Sequence, residues 1–363
     1  MKALGIYGII IEDKGGAILA YYDGTKLLSL QDLKGRKPEI YLCTSNRNGG
    51  KTTYFSRLLV NKFLRGEIRK FMILYRWGYE LKDVHVKFFK EINHLFFPDK
   101  IMTSENKSND TYSELYLNDR PCGYAVAINK AEQIKRLSHL FADTDIMYFD
   151  EFMPETGVYC PREVDKLMSI HVSVARGGGE QVRYVPIIMT GNPYTILNPY
   201  YTEMGITERL TDETKFLKGD GFVLEQGYVE SAALAQSESG FMRAFQGSAY
   251  KDYAIEGVYL NDNKAFIEKP KGRSKYLATI RCDGTDFAIR QYTEAGIIYC
   301  DNRADNSYPL RIAVTTEDHN INYVMLQLNN GFITTMRLYF QSGCFRFQDL
   351  RSKKAIIKLL AIR

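Results

Sequence analysis

The sequence contains no uninterrupted apolar run near the ~20 residues that a membrane-spanning helix requires. Its six cysteines, at positions 43, 122, 160, 282, 300 and 344, include no C-x-x-C pair. That spacing argues against a disulfide framework or a zinc site and predicts reduced core thiols. The N-terminus offers one lysine before the short run Gly5–Ile11, and no small-residue cleavage site. The run therefore reads as a strand, not a secretory signal. Together these absences predict a cytoplasmic protein without membrane contact. Acids are missing from the last thirteen positions, where Arg351, Lys353, Lys354, Lys358 and Arg363 gather. A second basic cluster, Lys264, Lys269, Lys271, Arg273 and Lys275, is opposed only by Glu268. Such patches suit a polyanion, with a solvated basic surface as the plain alternative. At 363 residues the length predicts two domains.

What the chain does contain is a phosphate cradle. The apolar run Ile40-Tyr41-Leu42-Cys43 passes through Thr44 into a small polar loop, Ser45-Asn46-Arg47-Asn48-Gly49-Gly50, then Lys51-Thr52-Thr53 and a helical pattern. Strand, glycine-containing loop and helix in this order present backbone N–H groups and a positive helix end to phosphate oxygens. Residues Ser45 through Thr53 are the candidate nucleotide-binding set. Lys51 is expected to reach the β- and γ-phosphates, and the Thr52 hydroxyl to ligate magnesium. One glycine of G-x-x-x-x-G-K-[ST] is absent: Ser45 stands in the first position. If that position demanded glycine's backbone freedom, phosphate binding would be weak and Ser45→Gly would tighten it.

The chain after Lys51 alternates helices and strands. Phe55, Leu58, Leu59 and Phe63 form one helical stripe, and Gly66 ends it. Residues 71–75 read as a buried strand closed by Arg76-Trp77-Gly78, and 81–97 as a helix stopped at Phe97-Pro98. Residues 100–103, 112–117 and 124–128 suggest a small antiparallel insertion. Its polar tip, residues 104–110 with Lys107, is either an ordinary hairpin or a contact to a ligand such as DNA. Residues 131–142 read as a helix. Upstream, residues 4–11 and 17–22 look like strands split by Lys14-Gly15-Gly16. Gln31 is a candidate reader of an adenine edge, with an exposed loop glutamine as the plainer account.

Residues 145–149 form a hydrophobic strand ending in Asp150-Glu151. Placed about a hundred residues after a cradle lysine, this is the second half of an ATP site. Asp150 would hold magnesium and Glu151 would orient and deprotonate the attacking water. A helix over 162–175 ends at Arg176, before Gly177-Gly178-Gly179. Arg176 is either a C-terminal helix cap or a finger reaching a γ-phosphate across a subunit interface. The strand 184–189 ends in Thr190-Gly191-Asn192, where Asn192 could sense the γ-phosphate. Four strands thus end in polar or charged groups, and ligands of open α/β sheets bind at that edge.

Residues 228–253 are rich in Ala, Ser and Gln and read as a helical linker. Beyond Asn261 strands dominate, at 276–282, 287–292, 296–300, 311–315 and around Phe345, with a turn at Asp283-Gly284-Thr285-Asp286 and a helical pattern over 355–360. The expected organisation is an α/β P-loop domain over 1–220, a helical linker over 221–260 and a smaller domain over 261–363.

Ser45 to Thr52 with the internal Arg47, Phe149-Asp150-Glu151-Phe152, Arg176 and Thr190-Gly191-Asn192, in that order, resemble the genome-packaging ATPases of small tailed bacteriophages with protein-primed genomes, relatives of terminase large subunits. The strand ending in Leu74-Tyr75-Arg76 also fits. The likeness covers residues 38–200 well and the rest by layout. It implies an ASCE-type P-loop ATPase with a mainly parallel sheet and flanking helices, using ATP and Mg2+. It implies a homo-oligomeric ring, a pentamer, that drives double-stranded DNA through the portal (connector) protein into a procapsid, with an RNA adaptor as a further candidate partner. The chain would then act in the host cytoplasm, transiently at the portal vertex. By the same likeness Lys51 and Thr52 contact phosphate and magnesium, Asp150 is the magnesium acid and Glu151 the catalytic glutamate. Arg47 lies near the γ-phosphate, Asn192 belongs to the coupling motif, and Arg176 becomes the finger acting in trans.

Terminase relatives carry an RNase H-like nuclease that needs a cluster of acids around two metals. Here the strand Tyr276-Leu277-Ala278-Thr279-Ile280 has no central acid, while Asp283 and Asp286 sit in a turn. The expectation is a vestigial, non-cleaving RNase H-like domain that binds nucleic acid or the portal. Two rivals remain at this point: a terminase with a working nuclease, and a nucleotide-dependent assembly scaffold with negligible turnover.

Overall fold

The computed structural model describes residues 10–12, 18–176, 181–207, 209–210, 214–244, 267–327 and 330–361. The chain divides into two compact units, residues 1–194 with 212–258, and residues 195–211 with 259–363. In the first unit β1 (Ile10–Glu12) and β2 (Ile18–Ala20) form a separate antiparallel ribbon. The expected turn at 14–16 lies outside the described residues.

The main sheet has nine strands: β3 (Ile40–Thr44), β4 (Lys70–Tyr75), β5 (Met102–Lys107), β6 (Tyr112–Leu117), β7 (Arg120–Ala127), β8 (Thr144–Phe149), β9 (Ile187–Gly191), β10 (Phe216–Lys218) and β11 (Phe222–Gln226). They lie side by side in the order β10-β11-β3-β9-β8-β4-β7-β6-β5. From β11 to β7 every neighbouring pair is parallel, and both edges finish antiparallel. Parallel neighbours need crossovers. The helices of this unit before residue 195 are α1 (Thr25–Ser29), α2 (Lys51–Leu64), α3 (Val84–Phe96), α4 (Ala131–Arg136) and α5 (Glu163–Val174). Of these, α2 links β3 to β4 and α5 links β8 to β9. Strand β9 therefore lies between β3 and β8, although it follows both in sequence.

The core follows from the apolar stripes. Phe55, Leu59, Val60 and Phe63 of α2 and Phe88, Phe89 and Ile92 of α3 are buried against Phe71, Ile73 and Tyr148 of the sheet. The Phe71 and Phe88 rings stand 5.5 Å apart. Each fully buried phenyl contributes roughly 1.5–3 kcal/mol. Gly66, at φ +70, stops α2 where expected.

Several boundaries differ from expectation. Residues 104–107 continue strand β5, so the hairpin turn tightens to residues 108–111. The expected helix 131–142 breaks after Arg136 and resumes as a single 3-10 turn at 138–141. Residues 222–226, placed in the linker from sequence, form β11 in the main sheet, parallel to β3. The helices that follow, α7 (Glu230–Ser237) and α8 (Gly240–Ala244), belong to the same unit. The short α6 (Pro199–Glu203) belongs to the other.

That second unit is a five-stranded sheet of β12 (Lys275–Cys282), β13 (Thr285–Tyr292), β14 (Ile297–Asp301), β15 (Arg311–Ala313) and β16 (Phe345–Phe347), in the order β15-β12-β13-β14-β16. The β12–β13 and β13–β14 pairs are antiparallel, and β15 and β16 add parallel edges. Helices α9 (Gly331–Gln341) and α10 (Leu350–Leu360) complete it. The tail helix starts five residues before the expected pattern because Asp349 caps it, accepting Ser352 N–H at 2.8 Å.

Candidate functional site

The parallel pairing brings the C-terminal ends of β3, β9, β8 and β4 to one edge of the main sheet. Leaving β3, the chain turns through residues 45–50 into α2. Asn48 takes φ +58 and Gly50 φ +90, and asparagine and glycine enter the left-handed region at least cost. Gly49 has no room for a side chain, since a Cβ there would lie 2.9 Å from a Val229 methyl. Ser45 does not take a positive φ. Its backbone makes no demand that only glycine could meet, so the missing glycine leaves the turn unstrained.

The loop is clamped from outside. The Asn46 side chain donates to Val229 O at 3.0 Å and accepts from Val229 N–H at 2.9 Å. Tyr22 N–H donates to Gly49 O at 2.7 Å and Gly227 N–H to Thr44 O at 2.7 Å. The Gln236 amide donates to Arg47 O at 3.0 Å. Three of these partners lie just after β11, in the stretch assigned to the linker, where no local pattern announces a contact to the loop.

Lys51 is buried on the floor of the loop. Its ammonium donates to Ser45 O (3.2 Å), Ser45 Oγ (3.0 Å), Asn46 O (3.2 Å) and Asn192 Oδ1 (2.9 Å). Burial pushes its pKa down, with neighbouring Cys43 and the Asp150 carboxylate pulling the other way. Thr52 Oγ1 donates to Asp150 Oδ2 at 2.9 Å, and Thr190 Oγ1 donates to Asp150 Oδ1. Thr53 sits half-buried in the first turn of α2. Arg47 pairs with Glu155.

Glu151 follows with φ +54, an uncommon conformation for a glutamate. Its N–H donates to Asp150 Oδ1 at 3.0 Å. The carboxyl is held above the usual glutamate range, first by desolvation and then by the Asp150 charge, with Arg47 and Arg76 opposing. Lys51, Thr52, Asp150, Glu151 and Asn192 therefore share one strand edge.

Two candidates lie elsewhere. Arg176 is exposed just past α5. There Arg183 N–H donates to Ala175 O (2.8 Å), and the Arg183 guanidinium donates to Val174 O (2.9 Å) and to Thr144 O (3.2 Å), at the start of β8. This is the opposite edge of the sheet, a six-residue strand away, or about 20 Å at ~3.3 Å per residue. Gln31 is exposed beside Asp32, whose carboxylate accepts Gly221 N–H at 3.0 Å at the start of β11. That too is the far edge, so Gln31 does not read a base bound at the loop. The space next to the loop is instead formed by two clefts of about 550 and 430 Å³, the first lined by Tyr21, Asn48 and Ser231 and the second by Tyr21, Tyr228 and Ser231.

A model of the podovirus DNA encapsidation protein (Gp16) family matches residues 19–361. The DNA packaging protein of Bacillus phage phi29 is 23% identical over 334 residues, 91% of this chain and 93% of that protein. The DNA packaging protein of Bacillus phage B103 is 23% identical over 308 residues, 84% and 90% of the two chains. A chain of the bacteriophage phi29 viral genome packaging motor assembly shares the fold, with TM-score 0.51 and 22% identity over 91% of this chain and 95% of that one.

Proposed function

This chain belongs to the podovirus DNA encapsidation protein (Gp16) family and is a viral DNA packaging protein; on that premise we propose that it is an ASCE-type P-loop ATPase that translocates double-stranded DNA into a procapsid. The observation that carries the reading is the convergence of Lys51, Thr52, Asp150 and Asn192, within 2.9 Å contacts, on one edge of a parallel sheet. The strand inserted between the loop strand and the acid strand supports the same class.

ATP would lie along the loop, its phosphates met by the loop N–H groups, the α2 N-terminus and Lys51. The clefts beside Tyr21 would take ribose and base. The Thr52 hydroxyl and Asp150 carboxylate are hard oxygen donors already in contact, a set that suits Mg2+. A cation held there offsets phosphate charge. Glu151 orients and deprotonates the attacking water, and Asn192, bonded to Lys51, couples that lysine to β9. Arg176 cannot reach this site within its own chain, which favours action on the nucleotide of a neighbouring subunit in a ring. The ring, a pentamer, would sit at the portal vertex with the portal protein and an RNA adaptor as partners.

For the second unit a vestigial nuclease is the better reading. Lys358 Nζ lies 2.9 Å from Asp283, and Arg281 2.7 Å from Asp286. Asp318 accepts Asp283 N–H, Gly284 N–H and the Thr315 hydroxyl. Among the described residues no group of three or more His, Cys, Asp or Glu is placed to hold a metal. The test of the whole reading is ATP hydrolysis by the full chain with and without double-stranded DNA. DNA should stimulate turnover, the stimulation should fall with salt, and Glu151→Gln should abolish it. Turnover indifferent to DNA argues against a translocase.

A further inference from the structure

We infer that Arg76, fixed by Glu163, is the positioning residue of the Asp150-Glu151 turn, holding the peptide groups that aim the Glu151 carboxylate. The inference rests on the reading of Glu151 as the catalytic base.

Arg76 leaves the end of β4 and is buried, as is Glu163 at the start of α5. Arg76 Nε lies 2.9 Å from Glu163 Oε2, and its Nη2 lies 3.0 Å from Glu163 Oε1. Arg76 also donates to the acid turn: Nη1 and Nη2 to Glu151 O, both at 3.3 Å, and Nη2 to Phe152 O at 3.0 Å. Glu163 in turn accepts Cys160 N–H at 2.8 Å. The rest of the turn is pinned as well. Glu151 N–H donates to Asp150, and Phe152 N–H donates to Thr190 O at 3.0 Å.

A buried ion pair adds little net stability, because desolvation offsets most of the attraction. An apolar pair could fill the same space. It could not donate to two successive carbonyls in a fixed fork, which the planar guanidinium does. Glu151 sits in the left-handed region, where a non-glycine residue persists only if its surroundings hold it. Arg76 supplies that hold on the carbonyl side. Gly191 completes the enclosure, since a Cβ there would meet the Phe152 ring at 3.2 Å. A staple that merely tied α5 to the sheet would not need the bonds to residues 151 and 152.

The experiment compares full-length Arg76→Gln, Arg76→Lys, Glu163→Gln and Glu151→Gln in DNA-stimulated ATP hydrolysis, with binding of a fluorescent non-hydrolysable ATP analogue. Arg76→Gln should lower kcat about 30- to 100-fold, as for a misplacement near 1 Å, with KM and analogue affinity within about threefold. Arg76→Lys should recover part of the rate, because the ammonium keeps the charge opposite Glu163 and reaches one carbonyl. Wild-type kcat in Arg76→Gln beside an inactive Glu151→Gln overturns the inference alone, as does a loss confined to KM. Wild-type kcat in Glu151→Gln overturns the reading of the base, and the inference with it. If Arg76→Gln does not fold, Arg76→Lys and Glu163→Gln decide: reduced kcat at unchanged KM supports the role, and unchanged kcat removes it.

Discussion

The carboxylates at the loop edge of the first unit and those at the β12–β13 turn of the second are partnered in opposite ways. Asp150 takes hydroxyls and a backbone N–H, and among the described residues neither it nor Glu151 forms an ion pair. Asp283 and Asp286 each have a resident cation, Lys358 and Arg281, within 2.9 Å. Hydroxyl and amide partners orient a carboxylate without neutralising it, so it stays able to meet a divalent cation. A lysine or arginine neutralises it, and the cost of displacing that partner falls on any metal that competes. The two regions thus differ in whether their carboxylates are neutralised by a partner of their own chain.

The largest effect expected from this difference is in turnover. Asp150→Asn should reduce DNA-stimulated ATP hydrolysis by at least about 100-fold, while Asp283→Asn leaves it within twofold. Neither the wild type nor Asp283→Asn should cut plasmid DNA with Mg2+ or Mn2+. Metal-dependent cutting that Asp283→Asn removes breaks the comparison. Next comes Arg176, whose place on the far edge makes a specific demand. Arg176→Ala should slow hydrolysis by roughly 10- to 1000-fold on its own. Mixed with inactive Glu151→Gln subunits it should regain activity, because some interfaces then pair an intact Arg176 with an intact Glu151. No gain on mixing places the arginine outside the neighbouring site.

Much of the first region was legible in the sequence. An apolar run that stops at small polar residues, and another that stops at two acids, are local patterns, and both end at the same edge of the sheet. The partners that hold them were not legible, because they are non-local. Glu163 is 87 residues from Arg76, and Val229 is 183 from Asn46. The run Phe222–Gln226 sits between Gly221 and Gly227 and could have been read as a strand. Its Ala-, Ser- and Gln-rich sequel drew it into the linker instead. The positive φ of Glu151 has no composition signal, since glutamate has no intrinsic preference for that conformation. Gln31 follows its plainer account, an exposed loop glutamine, because nearness to the loop in sequence says nothing about which edge of a parallel sheet a residue occupies.

Asp32 sharpens the comparison from inside the first unit. It lies at the edge opposite the loop and, like the acids of the second unit, is fully committed. Burial pushes its pKa up, but donors from Arg36, Gly221 and Lys34 outweigh this and lower it from 3.8 to about 2. A depressed carboxylate contributes stability that is present above its unfolded value and lost as pH falls through the folded one. Wild-type stability should therefore decline between about pH 4 and pH 2 through this group. Asp32→Asn should be less stable at neutral pH and lose less over that window in acid titrations of the unfolding midpoint. Ser45→Gly should have a smaller effect. It relieves no strain and removes a hydroxyl bonded to Lys51, so ATP affinity should fall by no more than about threefold.

The smallest effect belongs to Lys358→Met. The Lys358 bond holds the Asp283 carboxyl below its usual range, but the Asp283 side chain is 67% exposed. Water and salt screen such a pair, and its loss should cost less than about 1 kcal/mol in denaturant unfolding. The informative readout is the response to Mg2+. Removing the lysine frees a single carboxylate, not a cluster, because both Asp318 oxygens already accept backbone N–H groups at 2.8 Å. One carboxylate is a poor cage for a cation that needs several oxygens. The unfolding midpoint should therefore respond to Mg2+ no more in Lys358→Met than in the wild type. A midpoint that rises with Mg2+ only in the variant, as ligand binding to the folded state requires, means that the lysine occupies a metal position. The two regions would then differ by one side chain and not by design of the whole corner.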